Sequence, residues 1–332
     1  MEYPIIEGPA RIRDFSYKYL SQYPELTELE KGIPYKEFYY HSHLRNKETE
    51  YRILRRITES KEHAEFLVHN SPLTVSLNRY PDILPYRDTL VSLKAHQYIN
   101  ANFVDSTLQN TENIFIATQA PMKSTMGAFW SMIWEHNIEL IIMICCITEG
   151  GMPKCEEYFP TEEPIIIEDF ELVLDRTCHI FPSLVQRTFL MKSVKEPGNE
   201  FREVTHLHGL KWPDQGAPKI KDEYNSIEHI IQTIKNKRLM NPSCKVAVHC
   251  SAGIGRTGLL IGIFNMVVAL EELIESDIQN SINQARVSVF GTARRLREQR
   301  WGMVSNLKQY KFMYRYMEYW ITSYLINQSS LI

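Results

Sequence analysis

The sequence contains little that would divide it or place it in a membrane. Its 332 residues hold no linker rich in proline, glycine or serine, no internal repeat and no tract of low complexity. The longest apolar runs, 140–147 and 259–270, are too short to cross a bilayer. No apolar signal segment or lipid-anchoring motif is present. These absences predict one large domain with an N-terminal extension, in a soluble intracellular protein with no membrane insertion.

The charge balance and the cysteine pattern exclude further classes. The formal net charge is −3, from 37 Lys and Arg against 40 Asp and Glu, so no nucleic-acid binding is expected. The six cysteines form no CxxC pair and no zinc-site spacing. We therefore expect reduced core thiols and one reactive thiol.

The most informative stretch is 246–258, with the sequence VAVHCSAGIGRTG. A strand ending and a glycine-rich loop precede the apolar run 259–270, which is typical of a buried helix. Such a loop points backbone N–H groups inward over a helix N-terminus and binds anions. Arg256 adds a planar fork for two phosphate oxygens. Cys250 lies in the same positive field, which favours the nucleophilic thiolate, and Thr257 is placed to donate its hydroxyl to the sulfur.

This loop resembles the signature of the tyrosine-specific, cysteine-dependent protein phosphatases. The matching string is His249-Cys250-Ser251-Ala252-Gly253-Ile254-Gly255-Arg256-Thr257-Gly258. The resemblance runs from about residue 51 to about 325, with the motifs in family order. It implies an α/β (α+β) fold with a central twisted mixed sheet flanked by helices. It divides the chain into an extension without an assigned role (1–48), a catalytic domain (49–326) and a short tail (327–332).

The resemblance also implies the reaction. Cys250 would attack phosphorus and form a phosphocysteine, with His249 and Thr257 in the catalytic set. Arg256 would hold the phosphate oxygens together with the amides of the loop, which comprises Ser251, Ala252, Gly253, Ile254 and Gly255. Asp214, in the Trp212-Pro213-Asp214 segment, would protonate the leaving tyrosine and later activate water. The loop and Arg256 supply the positive field, so no cofactor and no metal are expected.

Other family segments would support the site and bind substrate. Glu149 would tie down Arg256, and Lys154 would reach the acid loop that begins at Trp212. Tyr80 would stack on the substrate ring, and Asp82 would accept hydrogen bonds from the substrate backbone. The implied partners are proteins or peptides that contain phosphotyrosine. The implied role is dephosphorylation in signal transduction by a cytoplasmic, non-receptor enzyme.

Two departures from the family pattern mark a divergent member. The family usually carries two glutamines near the last helix, and here the first is Ser305 while the second is Gln309. Ser305 is too short to reach a hydrolytic water, so either Gln309 takes over or the second chemical step is slow. Arg87, Thr89 and Leu90 stand where the family usually has an acidic residue followed by Ser-Arg. We expect the salt links of that turn to be missing or rewired.

The remaining pattern predicts the main elements. His206 and His208 share one face of a strand, and a structural role is expected because no third metal ligand is evident. The basic segment 294–300 either attracts acidic phosphopeptides or forms a solvated helix face. The aromatics of 1–48 are expected to pack on the catalytic domain. Helices are predicted at 25–31, 50–68, 222–237 and 307–325, strands at 113–118 and 140–147, and core aromatics at Phe129, Trp130 and Trp134.

Three other functions compete with this interpretation. Ser305 is compatible with a pseudophosphatase that holds phosphotyrosine without turnover, although Cys250, Arg256 and Asp214 are intact. A phosphatase for phosphoinositides, phosphoserine or phosphothreonine needs a shallower or wider pocket, which Tyr80 argues against. A cysteine protease fits worst, because the loop suits phosphate rather than a carbonyl.

Overall fold

An eight-stranded mixed sheet forms the centre of the fold. The computed structural model describes residues 24–59, 61–69, 71–94, 96, 98–106, 114–195, 200–212, 221–275 and 285–329. In spatial order the strands are β2 (Ala101–Val104), β3 (Phe115–Thr118), β11 (Lys245–His249), β4 (Ile138–Met143), β10 (Arg202–Gly209), β9 (Leu184–Ser193), β8 (Phe170–Phe181) and β7 (Ile165–Ile167). The inner strands β3, β11, β4 and β10 run parallel to one another, and the outer neighbours are antiparallel.

Helices cover both faces of this sheet. The α-helices are α1 (Pro24–Lys31), α2 (Phe38–Leu44), α3 (Lys47–Thr58), α4 (Lys61–Ala64), α5 (Pro72–Leu77), α6 (Met126–Glu135), α7 (Lys221–Met240), α8 (Gly255–Glu275), α9 (Val289–Gln299) and α10 (Leu307–Ser329). Two short strand pairs lie outside the sheet: β1 (Ile33–Pro34) with β12 (Arg286–Val287), and β5 (Thr148–Glu149) with β6 (Met152–Pro153).

The side chains of β11 show how the two faces are filled. Val246 and Val248 belong to the core cluster that contains α7, α8, α9 and α10. Ala247 points to the opposite face, where it joins the cluster that contains α6. Because side chains alternate along a strand, the apolar run is buried on both sides, as in parallel sheets that are covered by helices. The predicted mixed sheet flanked by helices is confirmed.

Helix α8 is longer than the apolar run that predicted it. The stretch Gly255–Ile274 has the length and mean hydropathy of a membrane span, so the prediction that this region is too short was wrong. However, 72% of its most apolar window is buried inside the fold. A core helix explains this composition, since a helix that is apolar all round must be covered by other elements.

Most predicted elements are found with shifted ends. Helices α1, α7 and α10 cover the predicted ranges 25–31, 222–237 and 307–325. The strand predicted at 140–147 is the inner strand β4, which ends at Met143, and β3 replaces the strand predicted from 113. Phe129 and Trp130 are fully buried, and Trp134 packs partly buried beside them.

The predicted helix 50–68 was wrong in its extent. Helix α3 ends at Thr58, and the short helix α4 follows separately. Arg297 explains this end, because its Nη1 donates to Thr58 Oγ1 at 3.1 Å and to the Glu59 carboxylate at 2.6 Å. A buried cation that binds the last turn fixes the helix end through tertiary contacts.

The segment before residue 49 packs on the rest of the chain where it is described. Tyr35 and Phe38 are buried in the core, and the Phe38 ring stacks on Tyr314 with a centroid distance of 6.0 Å. Glu30 in α1 accepts a 2.6 Å hydrogen bond from Arg294 in α9. Tyr35 and Phe38 pack as expected, but Tyr39 and Tyr40 are exposed, so the expectation was wrong for these two. The domain boundary at 48 stays a prediction.

Candidate active site

The predicted phosphate loop lies at the carboxyl edge of the parallel strands. β11 ends at His249, the loop follows, and α8 begins at Gly255, so backbone N–H groups at the start of α8 face the loop. Gly253 has φ +71°, and a Cβ at this position would lie 2.0 Å from the carbonyl oxygen of Thr118. The loop therefore needs glycine for both its conformation and its close contact with β3.

Cys250 lies at the bottom of this loop, with 4% of its surface exposed. Burial alone raises the pKa of its thiol, but the net pKa is lowered by the charge of Arg256 and by hydrogen bonds from the Thr257 side chain and from the N–H groups of Thr257 and Gly253. Among the described residues, no other hydrogen-bond partner lies within reach of the Thr257 hydroxyl. The site thus favours a thiolate, as a cysteine nucleophile requires.

Arg256 is oriented by Glu149, as expected, and also by the carbonyl oxygen of Trp212, which was not predicted. Its Nη1 donates to Glu149 Oε1 at 2.6 Å and to the carbonyl oxygen of Trp212 at 3.0 Å. Burial lowers the pKa of Arg256, but the Cys250 charge and Glu149 outweigh it, and the net pKa is raised. The guanidinium is therefore a permanent cation, oriented by the β5–β6 hairpin and by the chain after β10.

Two buried neutral imidazoles are joined through Tyr158, and one of them lies next to Cys250. His249 Nδ1 lies 3.0 Å from the carbonyl oxygen of Cys250, and its Nε2 lies 2.8 Å from the Tyr158 hydroxyl. Burial lowers the pKa of His249 to about 3, so the ring is neutral at pH 7. Nδ1 must then carry the proton, and Tyr158 donates to Nε2 and accepts from His206, 3.0 Å away. Tyr158 was not singled out from the sequence, since nothing local links it to residue 249.

The predicted recognition segment contacts the loop directly. The Tyr80 hydroxyl lies 2.9 Å from Ser251 Oγ, and Ser251 Oγ donates to the Lys154 carbonyl oxygen at 2.8 Å. Since the serine proton points to residue 154, Tyr80 is the donor to Ser251. Asp82 is exposed beside Tyr80. The structure therefore places Tyr80 against the phosphate loop and leaves Asp82, two residues further along the chain, exposed.

The basic segment 294–300 is neither a solvated face nor a surface for phosphopeptides, so both predictions were wrong. Arg294, Arg297 and Arg300 are each less than 5% exposed. Arg300 Nε donates to the Gly253 carbonyl oxygen at 2.8 Å, and its Nη2 donates to the Ala252 carbonyl oxygen at 3.2 Å. This guanidinium braces the back of the phosphate loop, a role that the charge pattern could not reveal.

Two asparagines complete the contacts of Arg300. Its Nη1 and Nη2 donate to Asn102 Oδ1 and Asn100 Oδ1, both at 2.8 Å. Asn100 in turn donates to Asn78 Oδ1 at 2.9 Å, which connects this cluster to the segment that carries Tyr80. Burial lowers the pKa of Arg300 to about 10, with the charges of Tyr98 and Cys250 opposing this. One buried cation therefore links the phosphate loop to the recognition segment.

The second glutamine of the family motif lies against the start of α8. A Cβ at Gly255 would lie 2.6 Å from Ser305 Oγ and 2.9 Å from Gln309 Nε2. Ser305 Oγ donates to Gln309 Oε1 at 3.2 Å. Gln309 is buried whereas Ser305 is exposed. The short side chain at 305 thus leaves the Gln309 amide beside the loop, held in position by a hydroxyl.

The unusual turn at 87–90 is rewired, as expected. Thr89 Oγ1 donates to the carbonyl oxygen of Gln299 at 2.6 Å and accepts from Asn102 at 2.9 Å. Arg87 donates to the carbonyl oxygen of Glu65 at 2.5 Å. Hydrogen bonds to backbone carbonyls thus hold this turn.

Most of the predicted acid loop lies outside the described residues. Asp214 and Pro213 lie outside the described residues, as does any contact between Lys154 and the acid loop. Trp212 is buried at the entrance to that loop.

All six cysteines are free thiols. Four are buried, but Cys178 is exposed, so the expectation of core thiols failed there. In the described part of the chain, one group of possible metal ligands is found: the ligand atoms of Cys145, Cys155 and His249 lie within 4.8 Å of one another. Both ring nitrogens of His249 already have hydrogen-bond partners. His206 and His208 instead bond Tyr158 and the Cys145 carbonyl oxygen.

Comparison with known proteins agrees with this geometry. Residues 74–319 match the protein-tyrosine phosphatase family. Tyrosine-protein phosphatase non-receptor type 20 of Mus musculus is 32% identical over 327 residues, which cover 94% of this chain and 71% of that protein. Receptor-type tyrosine-protein phosphatase S of Gallus gallus is 32% identical over 281 residues, which cover 82% of this chain and 17% of that protein.

A solved structure agrees as well. The catalytic domain of human protein tyrosine phosphatase non-receptor type 18 superposes with a TM-score of 0.73 and 26% identity, and the match covers 86% of this chain and 99% of that one. A complex of PTPN18 with HER2 phospho-peptides gives a TM-score of 0.74 and 26% identity over 87% of this chain and 99% of that one. The chain therefore belongs to the protein-tyrosine phosphatase family, and its enzyme class is that of a protein-tyrosine phosphatase, as the sequence predicted.

Proposed function

We propose that this chain hydrolyses phosphotyrosine in proteins or peptides through a phosphocysteine on Cys250. The observation that carries the proposal is a buried thiol with a lowered pKa in the loop between β11 and α8, close to the Arg256 guanidinium in the first turn of α8. A thiolate, inward N–H groups and a guanidinium together match a phosphate dianion and the charge of its transition state.

The reaction proceeds in two balanced steps. In the first, the Cys250 thiolate bonds to phosphorus, the bond to the tyrosine oxygen breaks, and Asp214 gives that oxygen its proton. In the second, Asp214 takes a proton from water, the water oxygen bonds to phosphorus, and the phosphorus–sulfur bond breaks to return the thiolate. The role of Asp214 rests on the Trp-Pro-Asp match at 212–214.

The surrounding groups act on charge and position. Arg256, oriented by Glu149, binds the phosphoryl oxygens in both steps. Thr257, which has no other described partner, stabilises the thiolate and eases its departure in the second step. Gln309 is the group best placed to align the attacking water, since its amide lies beside Gly255.

The choice of substrate follows from the wall and the rim of the site. Tyr80 donates to Ser251 of the loop, which fixes its ring where a phosphotyrosine ring would stack. Asp82, exposed beside it, would accept hydrogen bonds from a peptide backbone. The phospho-peptide complexes of PTPN18 support this substrate class.

We also propose a cytoplasmic location and a catalytic domain over 49–326, with residues 1–48 as an extension. Non-receptor types among the relatives support the location, although receptor types also match. A pseudophosphatase is the second candidate, because Ser305 replaces a family glutamine beside the loop.

Turnover by the purified chain tests the proposal. Wild type should hydrolyse a phosphotyrosine peptide faster than phosphoserine peptides or phosphoinositide vesicles, and Cys250→Ser should abolish turnover while it retains peptide binding. Asp214→Asn should slow the reaction and remove the alkaline limb of kcat/KM, because asparagine cannot lose a proton. Binding without turnover in wild type would establish the pseudophosphatase, and faster phosphoinositide turnover would reject the substrate class.

A further inference from the structure

A second cleft opens at the opposite edge of the sheet from the phosphate loop. It has a volume of about 870 Å³, and its floor is formed by residues at or just before the starts of β3, β4 and β11, namely Ile114, Ile138 and Lys245. Lys245 and His249 are the first and last residues of β11, which places them roughly 13 Å apart along the strand. The cleft is therefore separate from the active site and is large enough for a peptide side-chain cluster.

The charges that line this cleft are not balanced. Arg202, Lys237, Arg238 and Lys245 face two carboxylates, Glu139 and Glu203. His136 also lines it, but burial lowers the pKa of this imidazole, so it adds no charge at pH 7. The lining thus carries a net positive charge in a chain whose total charge is negative.

The two carboxylates leave much of this positive charge uncompensated. Glu139 accepts a hydrogen bond from the Asn241 amide, and Glu203 lies 3.8 Å from Lys237. Burial lowers the pKa of Arg238, and no carboxylate opposes that shift. By contrast, Lys235 lies outside the cleft on the same helix and pairs with Glu271 at 2.6 Å. Of the four cations in the cleft, only Lys237 has a carboxylate within salt-bridge distance in the described part of the chain, so an anion in the cleft would meet three cations without a close counter-charge.

One cation in the cleft is held in a fixed position. The Arg202 guanidinium lies 3.5 Å from the centroid of the Trp134 ring. It also donates to the Trp134 carbonyl oxygen at 3.1 Å and to Asn137 Oδ1 at 2.9 Å. A guanidinium that is stacked and hydrogen-bonded loses little entropy when it binds a carboxylate.

Apolar side chains stand exposed at the rim. Leu239 and Met240, between lining residues Arg238 and Asn241, are 84% and 85% exposed. Phe201, next to Arg202 on the other wall, is also exposed. Large exposed apolar groups beside a charged concavity are typical of protein contact sites. A flat lipid surface would touch the rim but would not enter the concavity.

We propose that this cleft docks an acidic peptide segment of a partner protein, with carboxylates in the cleft and apolar side chains on Leu239 and Met240. The site would work independently of phosphotyrosine chemistry. Salt should weaken binding, because the attraction is between charges at a partly open surface.

A fluorescent peptide of alternating glutamate and leucine pairs tests this inference by anisotropy. Wild type should bind it, and the double variant Lys237→Glu/Lys245→Glu should bind at least about tenfold more weakly. Arg52→Glu/Arg56→Glu makes the same charge change on the exposed side of α3 and should bind as wild type. All three proteins should turn over a small aryl phosphate equally, which verifies folding.

Other outcomes would overturn the proposal. The first is that wild type does not bind the peptide detectably. The second is that both double variants lose the same affinity for the peptide. The third is that wild type binds a peptide with lysine in place of glutamate as tightly as the original. Binding of anionic phosphatidylserine vesicles without binding of the peptide would also overturn it, since the ligand would then be a membrane.

The variant Leu239→Ser/Met240→Ser tests the apolar contacts, because it keeps every charge. It should lower the affinity for the peptide with little change in the salt dependence of binding.

Discussion

Replacement of Arg300 tests whether this residue holds the phosphate loop in place for turnover, in addition to stabilising the fold. Its guanidinium donates four hydrogen bonds, two of them to the loop carbonyls of Gly253 and Ala252. In Arg300→Lys a single compact ammonium keeps the charge but cannot span the four acceptors that the planar guanidinium reaches. We expect about two of the four acceptors to lose their donor.

The structure sets the magnitude of the expected loss. A buried acceptor without a donor costs about 1–3 kcal/mol, so two of them predict a loss of roughly 2–6 kcal/mol in unfolding free energy. Release of the Gly253 carbonyl also lets the loop amides move, and a shift of about one ångström costs on the order of a hundredfold in rate. Arg300→Lys should thus lower kcat/KM by about that factor.

The matched control is Arg286→Lys. Arg286 also clamps backbone carbonyls, those of Lys31 and Gly32, but these lie at the end of α1. This variant should lose about 1 kcal/mol of stability, since the group is only partly buried, and should keep kcat/KM. Urea unfolding and turnover of an aryl phosphate, measured on the same samples, provide both readouts.

Arg300→Met tests the charge apart from the geometry. Burial lowers the pKa of Arg300, and the Cys250 charge opposes this effect because the thiolate stabilises the cation. By reciprocity, the Arg300 cation favours the Cys250 thiolate. Its removal should raise the pKa of Cys250 and move the acid limb of kcat/KM to higher pH, whereas Arg300→Lys should leave that limb in place. An Arg300→Lys enzyme within about twofold of wild type in kcat/KM, or an unmoved acid limb in Arg300→Met, would refute the reasoning.

Three further predictions follow from the site. Ser305→Gln should raise the steady rate and shrink the burst of phenol seen on rapid mixing with an aryl phosphate, while Gln309→Ala should slow the second step. An unchanged rate in Ser305→Gln, with no burst in wild type, would show that the substitution is silent. Tyr80→Ala should lower kcat/KM for a phosphotyrosine peptide more than for a phosphate ester without a ring. An equal loss of kcat/KM on both substrates would show that Tyr80 has only a structural role. Burial lowers the pKa of His208 to about 4, so between pH 6.5 and 4 this imidazole binds its proton more readily in the unfolded chain. As the pH falls through that range, His208 alone should lower the unfolding free energy by about 3 kcal/mol. In urea titrations His208→Gln should flatten this slope, and an unchanged slope would contradict the assignment.

The sequence predicted the arrangement of the phosphate loop well, because its groups are contiguous in the chain. The cysteine, the arginine and the loop glycines fall within 250–256, so one local turn determines their arrangement. The sheet was also predictable, because apolar runs of strand length imply strands that are buried on both faces. By contrast, the Arg256–Glu149 contact joins distant segments and could be expected only from the family resemblance.

The basic segment 294–300 shows where pattern alone fails. From composition it is a basic surface, but three of its four arginines, Arg294, Arg297 and Arg300, find partners on other elements: Glu30 from α1, Thr58 from α3 and Gly253 from the loop. Burial of a cation depends on acceptors that tertiary packing supplies, and sequence periodicity does not encode them.

Positive charge lies at both ends of the parallel strands, but different groups supply it at each end. At the carboxyl edge the charge comes from Arg256 and from N–H groups at the start of α8, so it is fixed by backbone geometry and suits a transition state. At the opposite edge α6 and α7 end, and helix C-termini carry partial negative charge. Side chains such as Lys237 and Lys245 must overcome that field to attract an anion. Charge reversal of these lysines should therefore turn the cleft from attractive to repulsive for acidic peptides and leave the phosphate loop untouched.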